Sequence, residues 1–154
     1  MALTIAWGSA VAADPVDRVL VHKAERRLEL LRDGQVVAAM PVALGGDPLG
    51  HKQAEGDGRT PEGVYRLDWR NPASAYHRSM HVSYPDDDDV ARARAGGRDP
   101  GGMIMIHGQR NNFGWLAPVT QLFDWTDGCI AVTNADMDII WSRVPDGTVI
   151  EIRP

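Results

Sequence analysis

The sequence contains a single cysteine, Cys129, and has neither a long apolar run nor a cluster of basic residues. One cysteine cannot form an intramolecular disulfide, and it excludes a zinc site built from several thiolates. No apolar run reaches the roughly 18 residues that a membrane-spanning helix needs. The 16 basic residues are dispersed and outnumbered by 21 acidic ones, which gives a net charge of −5. This balance argues against a nucleic-acid partner, because phosphate backbones are bound by basic patches.

The length of the chain predicts one domain with one hydrophobic core. Of its 154 residues, 44% are hydrophobic and 24% are charged, and no internal repeat is present. The N-terminal stretch MALTIAWGSAVAADP is apolar, and its small residues at 10–13 resemble a signal-peptidase site, although no lysine or arginine lies near Met1. We therefore predict residues 1–16 to be a leader, either an export signal or a disordered extension, and 17–154 to be the domain.

The first half of the chain is typical of β-strands. Apolar runs in residues 17–23 and 26–46 surround the dipeptide Asp33-Gly34, which is a signal for a type I′ hairpin, so a three-stranded meander is expected. Residues 45–63 are rich in glycine, proline and aspartate and have no periodicity. A loop of this length inside a compact domain is uncommon unless it is functional.

The second half predicts further strands and two helices. Thr133 and Asp136 have the spacing of a capping box, which predicts a helix over residues 134–144. Its apolar positions recur on one face at Met137, Ile140, Trp141 and Val144. A short helix is expected at 90–95, after the aspartates of PDDDD, and strands are expected at 64–69, 79–85, 101–108 and 148–152. The predicted fold class is mainly β with few helices (α+β).

Cys129 stands in the stretch DWTDGCIAVTN, between acidic residues and directly after Gly128. Glycine lets the backbone approach a reacting group, and successive N–H groups at such a turn can face a developing oxyanion. Free cysteine is also among the most buried residue types. The local context therefore leaves two interpretations open, a nucleophile or a small apolar residue that fills the core.

His107 ends the apolar run GGMIMIHG and is followed by Gly108. A thiol needs a base to become a thiolate at neutral pH, and an imidazole within hydrogen-bond reach can supply one. The other four histidines do not end a glycine-bounded strand. His107 is the candidate base, provided that the loop between it and Cys129 returns to the strand end; otherwise it is a core histidine.

The ordered motifs RTPEGVY, IHG, TDGC and GTVIEI resemble the L,D-transpeptidase catalytic domain, also called YkuD-like, from about Asp17 to Pro154. The resemblance implies a β-sandwich of mixed sheets that acts on peptidoglycan stem peptides. It also implies a cysteine that attacks a peptide carbonyl next to a D-amino acid and passes the acyl group to an amine or to water. We expect no cofactor and no metal.

The family roles transfer to four positions of this chain. Cys129 matches the nucleophile and His107 the base. The carbonyl of Gly108 would hold the imidazole tautomer, and the N–H groups of Gly128 and Cys129 would form the oxyanion hole. These roles are implied by the resemblance and not by the spacing of the residues.

Two positions depart from the common family pattern. Asp127 stands where many members have histidine, and Ala131 stands where many have arginine or asparagine. Asp127 can pair with an amine, and its charge should oppose thiolate formation, which would increase the importance of a charged His107. The TDGC branch leaves transfer and hydrolysis both open, including hydrolysis of the amide that links a lipoprotein to peptidoglycan.

Six residues are candidates for substrate contact: Arg59, Tyr76, Ser83, Tyr84, Trp125 and Asp127. Arginine can bind a carboxylate with two hydrogen bonds, but Arg59 can equally be a solvated loop residue. The tyrosines, Ser83 and Trp125 can line a peptide cleft or pack in the core.

Two other classes of function remain open. One is a non-catalytic peptidoglycan-binding module with the same fold, and the other is a metal hydrolase that uses His81 and the aspartates at 86–89. The aspartate run lacks the ligand spacing of a calcium loop, so it is more typical of a solvated turn. For the preferred enzyme we expect export to the periplasm or cell envelope.

Overall fold

The computed structural model describes residues 14–154. The predicted leader, residues 1–16, lies mostly outside this range. The described residues form eight strands: β1 Arg18–His22, β2 Arg27–Arg32, β3 Gln35–Pro41, β4 Gly63–Asn71, β5 Ser79–Val82, β6 Met105–His107, β7 Ile130–Ala131 and β8 Thr148–Arg153. They also form three α-helices: α1 Asp87–Ala95, α2 Ala117–Thr120 and α3 Asn134–Arg143. No helix in residues 14–154 is long and apolar enough to cross a membrane.

All eight strands hydrogen-bond into one mixed sheet in the order β3-β2-β1-β8-β4-β5-β6-β7. The pairs β1–β8 and β6–β7 are parallel, and the other pairs are antiparallel. Just beyond β3, Ala43 and Ala131 exchange N–H···O bonds of 2.9 and 2.8 Å, so the two ends of the sheet meet. The predicted mainly β fold with mixed pairing is confirmed, and its layers are parts of one curled sheet.

The N-terminal meander forms because its turn residues accept left-handed backbone angles. Asp33 and Gly34 have φ values of 51° and 76°, the positive signs that a type I′ turn needs. Arg32 and Gln35 pair directly across this turn. The predicted hairpin and the three-stranded meander β1–β3 are therefore confirmed.

Helix α3 packs on the sheet next to the end of β7. The side chain of Thr133 accepts a hydrogen bond of 3.1 Å from the N–H of Asp136, which caps the helix as its sequence predicts. Met137 and Ile140 are fully buried in the core. The helix ends at Arg143, one residue earlier than predicted, whereas α1 begins at Asp87, three residues earlier than predicted.

The long loop at 45–63 is held by two buried lysines. Lys23 donates to the carbonyls of Gly50 and Thr60 at 2.7 and 2.9 Å. Lys52 donates to Asp57 at 2.9 Å. Despite partial burial, hydrogen bonds from backbone N–H groups and from Lys52 lower the pKa of Asp57 to about 2. The loop is therefore fixed on the sheet, and one of its later carbonyls reaches the turn before Cys129.

The register of β6 and β7 determines which side chains share a face. Ile106 pairs with Ile130, and both are fully buried in the core. Because successive side chains alternate between faces, His107 and Cys129 point to the opposite face. The connection between the strands contains a 3-10 turn at Gly114–Leu116 and helix α2, where the sequence predicted only a loop.

Candidate active site

A cavity of about 290 Å³ lies over the ends of β5, β6 and β7. Ten residues line it: Ser74, Tyr76, Ser79, Met103, Met105, His107, Trp125, Thr126, Asp127 and Cys129. Five of them were selected from the sequence, and these include the candidate base and the candidate nucleophile. The connection from β6 to β7 therefore brings His107 and Cys129 to one cavity.

His107 is 4% exposed, and its ring is fixed by the next residue along the chain. Its Nδ1 lies 2.7 Å from the carbonyl oxygen of Gly108. Because a carbonyl can only accept, Nδ1 carries the proton, and Nε2 of the neutral ring keeps its lone pair. Burial lowers the pKa of His107, and the bond to Gly108 opposes this only in part. His107 is therefore neutral at pH 7 and can act as a base, which differs from the charged form that the sequence suggested.

Aromatic rings surround His107 on the cavity side. The ring centroid of Tyr76 lies 4.2 Å from that of His107, and the ring centroid of Trp125 lies 5.8 Å from it. These rings are part of the cover that buries the imidazole, and burial disfavours its charged form.

Gly108 lies where a larger residue cannot fit. A Cβ atom there would lie 2.8 Å from both Asn134 Oδ1 and the carbonyl oxygen of His77. The N–H of Gly108 donates to that same carbonyl at 3.0 Å. The strand end that holds His107 is therefore packed between the start of α3 and the segment before β5.

The Gly108→Ala variant is expected to displace the carbonyl that fixes His107. Its Cβ has no room, so the strand end must move or the fold must lose stability. We expect a lower melting temperature and a loss of activity larger than unfolding alone explains. The measurements are thermal melts of the wild type and the variant, and their reaction rates at a temperature where both are folded. Full activity in a folded Gly108→Ala protein would contradict the role given to this carbonyl.

The thiol of Cys129 is partly buried at the edge of the cavity. Its Sγ donates to the carbonyl oxygen of Met103 at 3.6 Å. Within residues 14–154 it makes no hydrogen bond to His107, although β6 and β7 place the two side chains on one face, two positions apart in register. In this state the two groups share a cavity and are not joined as an ion pair.

The surroundings of Cys129 favour the neutral thiol. Burial raises its pKa, and the negative charge of Asp127 raises it further. A backbone hydrogen bond from Met105 and the charge of Lys52 lower it, but by less. The sequence-based expectation that Asp127 opposes thiolate formation agrees with this direction. A neutral thiol next to a neutral imidazole suits proton transfer during attack.

The pH dependence of alkylation tests this resting state. We expect the rate of Cys129 alkylation by iodoacetamide to keep rising with pH beyond the ordinary thiol pKa, because burial and the charge of Asp127 raise the pKa of this thiol. The measurement is a series of pseudo-first-order rates followed by mass spectrometry. An inflection at or below neutral pH would show a preformed thiolate–imidazolium pair and contradict the expectation.

The turn before Cys129 is anchored by Thr126. The hydroxyl of Thr126 accepts from the N–H of Gly128 at 3.1 Å and donates to the carbonyl of Cys129 at 2.7 Å. Gly128 has φ of 122°, and a Cβ there would lie 2.6 Å from the carbonyl oxygen of Arg59. Only glycine fits this turn.

This anchoring changes the expected oxyanion hole. The N–H of Gly128 already bonds Thr126, whereas the N–H of Cys129 has no hydrogen-bond acceptor within residues 14–154. The N–H of Cys129 is thus the donor available to a substrate oxygen. The N–H of Gly128 would contribute to the oxyanion hole only if its hydrogen were shared between Thr126 Oγ1 and the substrate oxygen.

The six predicted substrate contacts divide into two groups. Tyr76, Trp125 and Asp127 line the cavity, as expected of contact residues. The other three do not line it. Arg59 lies 3.4 Å from Asp47, the hydroxyl of Ser83 accepts from the N–H of Arg66, and Tyr84 is buried with its hydroxyl on the carbonyl of Pro100.

Other lining residues were missed by the sequence reading: Ser74, Ser79, Met103, Met105 and Thr126. Ser79 pairs with His107 across β5 and β6 and opens into the same cavity. Met105 could have been predicted from the sequence, because it lies two positions before His107 in the same strand and side chains two apart share a face. For Ser79 no local signal exists, because the cross-strand register is not visible in one sequence.

The residues of the alternative metal site lie in separate interactions. His81 contacts Asp68 at 2.7 Å, and Asp89 contacts His51 at 2.8 Å and the hydroxyl of Tyr65 at 2.9 Å. In residues 14–154 no group of three or more histidine, cysteine or carboxylate side chains converges as metal ligands. The geometry therefore does not support a metal hydrolase that uses His81.

Known proteins resemble this chain over most of its length. It is 29% identical over 138 residues to "Putative L,D-transpeptidase YafK" of Escherichia coli (strain K12), which covers 85% of the chain and 48% of that protein. The helical cell shape determining protein Pgp2 of Campylobacter jejuni superposes with a TM-score of 0.69 at 26% identity, over 92% of this chain and 48% of that one. The chain therefore spans about half the length of these relatives.

A more distant structure has the same fold. The L,D-transpeptidase of Xylanimonas cellulosilytica superposes with a TM-score of 0.60 at 17% identity, over 92% of this chain and 62% of that one. The family model of the L,D-transpeptidase catalytic domain, YkuD, matches residues 16–152. With this match over nearly all of the described residues, the chain belongs to the L,D-transpeptidase catalytic domain family.

Proposed function

We propose that the protein catalyses acyl transfer on peptidoglycan stem peptides through a thioester on Cys129, with His107 as the base. The observation that carries the proposal is the neutral His107 ring, held by Gly108 at 2.7 Å, in one cavity with the Cys129 thiol. Membership of the family provides the reaction class. Gly108 and the N–H of Cys129 complete the site.

The reaction starts from the two neutral groups. His107 Nε2 takes the thiol proton while Cys129 Sγ forms a bond to the peptide carbonyl carbon, and the oxygen gains negative charge next to the N–H of Cys129. The tetrahedral intermediate then collapses. Its C–N bond breaks, and the leaving amine takes the proton from His107. A thioester and a neutral imidazole remain.

The second half of the reaction reverses the order of events. An acceptor amine or a water molecule loses a proton to His107 and attacks the thioester carbonyl. The C–S bond breaks, and the proton returns to Cys129 Sγ. No cofactor takes part in these steps.

Hydrolysis of an internal amide is the second candidate function. Within residues 14–154, the cavity lining includes no lysine or arginine, and Arg59 is directed to Asp47 instead. A leaving residue with a free carboxylate therefore finds no basic side chain in the described lining. This favours an endopeptidase or an amidase that releases a peptidoglycan-linked lipoprotein over removal of a terminal D-amino acid.

We also place the protein in the periplasm or cell envelope, because its substrate would be there. Pgp2, a structural neighbour, is named for helical cell shape. A role in cell-wall biogenesis and cell shape fits an enzyme that cuts or joins stem peptides.

Incubation with purified peptidoglycan tests these functions. Wild-type protein and the Cys129→Ala variant are compared by mass spectrometry of the fragments. New cross-links or exchanged terminal D-residues support transfer, and released fragments alone support hydrolysis. If both proteins leave peptidoglycan unchanged but bind it, the chain is a non-catalytic binding module and the proposal fails.

A further inference from the structure

The peptide unit between Gly108 and Gln109 joins the ring of His107 to the side chain of Asn134. Its carbonyl oxygen accepts from Nδ1 of His107 at 2.7 Å. The N–H at the other end of the same unit, that of Gln109, donates to Oδ1 of Asn134 at 2.8 Å. Because a peptide unit is planar, its carbonyl oxygen cannot turn without its N–H. The side chain of Asn134 therefore controls the position of the carbonyl that fixes His107.

The amide group of Asn134 lies between two glycines. A Cβ atom added to Gly108 would lie 2.8 Å from Asn134 Oδ1, and one added to Gly114 would lie 2.6 Å from Asn134 Nδ2. Asn134 is also the first residue of α3, directly after Thr133, whose side chain caps that helix. The backbone of Asn134 is thus fixed by the helix, and its side chain is confined by both glycines.

The backbone of His77 fixes the chain on either side of this peptide unit. The N–H of Gly108 donates to the carbonyl of His77 at 3.0 Å, and the carbonyl of Gln109 accepts from the N–H of His77 at 2.8 Å. The two groups of the unit itself bond to the side chains of His107 and Asn134. The tilt of the unit therefore depends on these two side chains.

The two hydrogen bonds also strengthen each other. A donor at the carbonyl and an acceptor at the N–H polarise the peptide in the same direction, so each bond gains from the presence of the other. The series of groups runs from Nδ1–H of His107 through the peptide to Asn134 Oδ1. In a serine-type triad a carboxylate bonds to Nδ1–H directly and holds the imidazole in the tautomer that leaves Nε2 free.

We propose that Asn134 is a positioning residue for the base, and that it keeps the proton of His107 on Nδ1 by holding the Gly108–Gln109 peptide. This rests on the proposed function, in which Nε2 of His107 takes the thiol proton of Cys129. Asn134 lies outside the cavity lining, so it acts through His107 and not on the substrate. Without its oxygen the peptide unit can tilt, the bond at Nδ1 weakens, and the ring also populates the tautomer that has no lone pair on Nε2.

NMR of the histidine ring nitrogens tests this role without any turnover. Isotope-labelled wild type, Asn134→Ala and Asn134→Asp are compared at a pH where the ring is neutral, and the His107 signals are identified by their absence from His107→Gln. We expect the wild type to hold the Nδ1–H tautomer and Asn134→Ala to show both tautomers. Asn134→Asp should restore the Nδ1–H tautomer, because a carboxylate oxygen can still accept from the N–H of Gln109.

A second variant displaces Asn134 without removing it. In Gly114→Ala the new Cβ would occupy the place of Asn134 Nδ2, and the end of this side chain can turn away. We expect this protein to fold and to show the same mixture of tautomers as Asn134→Ala. Asn71→Ala is the matched control, because Asn71 Oδ1 accepts from the N–H of Ala73 at 2.9 Å outside the cavity lining; it should keep the Nδ1–H tautomer.

Acylation of Cys129 is measured on the same proteins at a temperature where each is folded. We expect the rate to fall about ten- to hundredfold in Asn134→Ala and Gly114→Ala, which is less than the loss of the base itself would cause. Asn134→Asp and Asn71→Ala should stay close to the wild type. A residue that only supports the fold would change the melting temperature but neither the tautomer nor the rate of the folded protein, and that result would overturn the inference.

The two readouts separate this inference from the proposed function. Mixed tautomers in Asn134→Ala and Gly114→Ala, with a wild type that does not acylate, would support the role of Asn134 and contradict the enzyme. Acylation by the wild type, with the Nδ1–H tautomer kept in every variant, would do the reverse. Mixed tautomers in Asn134→Asp as well would also overturn the inference, because the acceptor oxygen would then not be what holds the peptide.

Discussion

The Cys129→Ala variant is expected to lose acylation completely and turnover by at least about 10⁴-fold, because no other group in the cavity can form the thioester. Wild-type protein should gain the mass of the acyl group when it is incubated with a stem peptide or with a thiol-reactive β-lactam. Intact-protein mass spectrometry measures both results. An adduct on the Cys129→Ala protein would contradict the assignment.

The fold should survive this substitution. Cys129 is only partly buried, and the hydrogen bond that its thiol donates to the Met103 carbonyl is long, at 3.6 Å. We expect the melting temperature to fall by a few degrees at most, since truncation at a cavity edge removes few packing contacts. The Cys129→Ser variant is the matched control, because it keeps the shape and loses the nucleophilic sulfur.

Much of the fold could be predicted because its signals are local. Asp33-Gly34 specifies a turn within two residues, and Thr133 caps a helix three residues ahead. The strand that ends at His107 was visible as a glycine-bounded apolar run. Each of these features depends on backbone sterics or on short-range hydrogen bonds, which one sequence contains.

The closure of the sheet could not be predicted in the same way. β7 is only two residues long, and Ala131 pairs with Ala43, 88 positions before it. Helix α2 and the 3-10 turn before it carry no apolar periodicity that distinguishes them from a loop. These elements are stabilised by tertiary contacts, so no local sequence pattern predicts them.

The site shows the same division. Cys129 and His107 could be proposed from the sequence because glycine stands next to each of them and because the motifs TDGC and IHG resemble a known family. Ser83 and Tyr84 were selected as polar residues near a strand, but their hydroxyls are satisfied by Arg66 and Pro100 away from the cavity. Which face a strand residue occupies depends on register with its neighbours, and that is set by pairing across the sheet.

Thr126 illustrates what the structure adds to the motif TDGC. Its buried hydroxyl joins the N–H of Gly128 to the carbonyl of Cys129, so the turn before the nucleophile is closed by a side chain. This leaves the N–H of Cys129 as the donor for a substrate oxygen. The motif therefore specifies a rigid turn before the proposed nucleophile, which is the preorganisation that the proposed acyl transfer needs.

The His107→Gln variant is expected to lower the acylation rate by about 10² to 10⁴-fold, the range typical of a lost general base. Glutamine can keep a hydrogen bond to Gly108 but cannot accept the thiol proton. Because burial lowers the pKa of His107, the wild-type rate should hold to a pH below the ordinary histidine range and fall only there. The measurement is the pH profile of acylation for both proteins.

The shape of that profile separates a base from a structural residue. Without His107, attack depends on thiolate formed by the solvent, so the variant's rate should rise with pH toward the raised pKa of Cys129. His81→Gln is the matched control: His81 contacts Asp68 and stacks on Trp69 outside the cavity, so its loss should leave the profile unchanged. A His107→Gln profile parallel to that of the wild type would show that His107 only supports the fold, and equal losses in both variants would favour a role for His81.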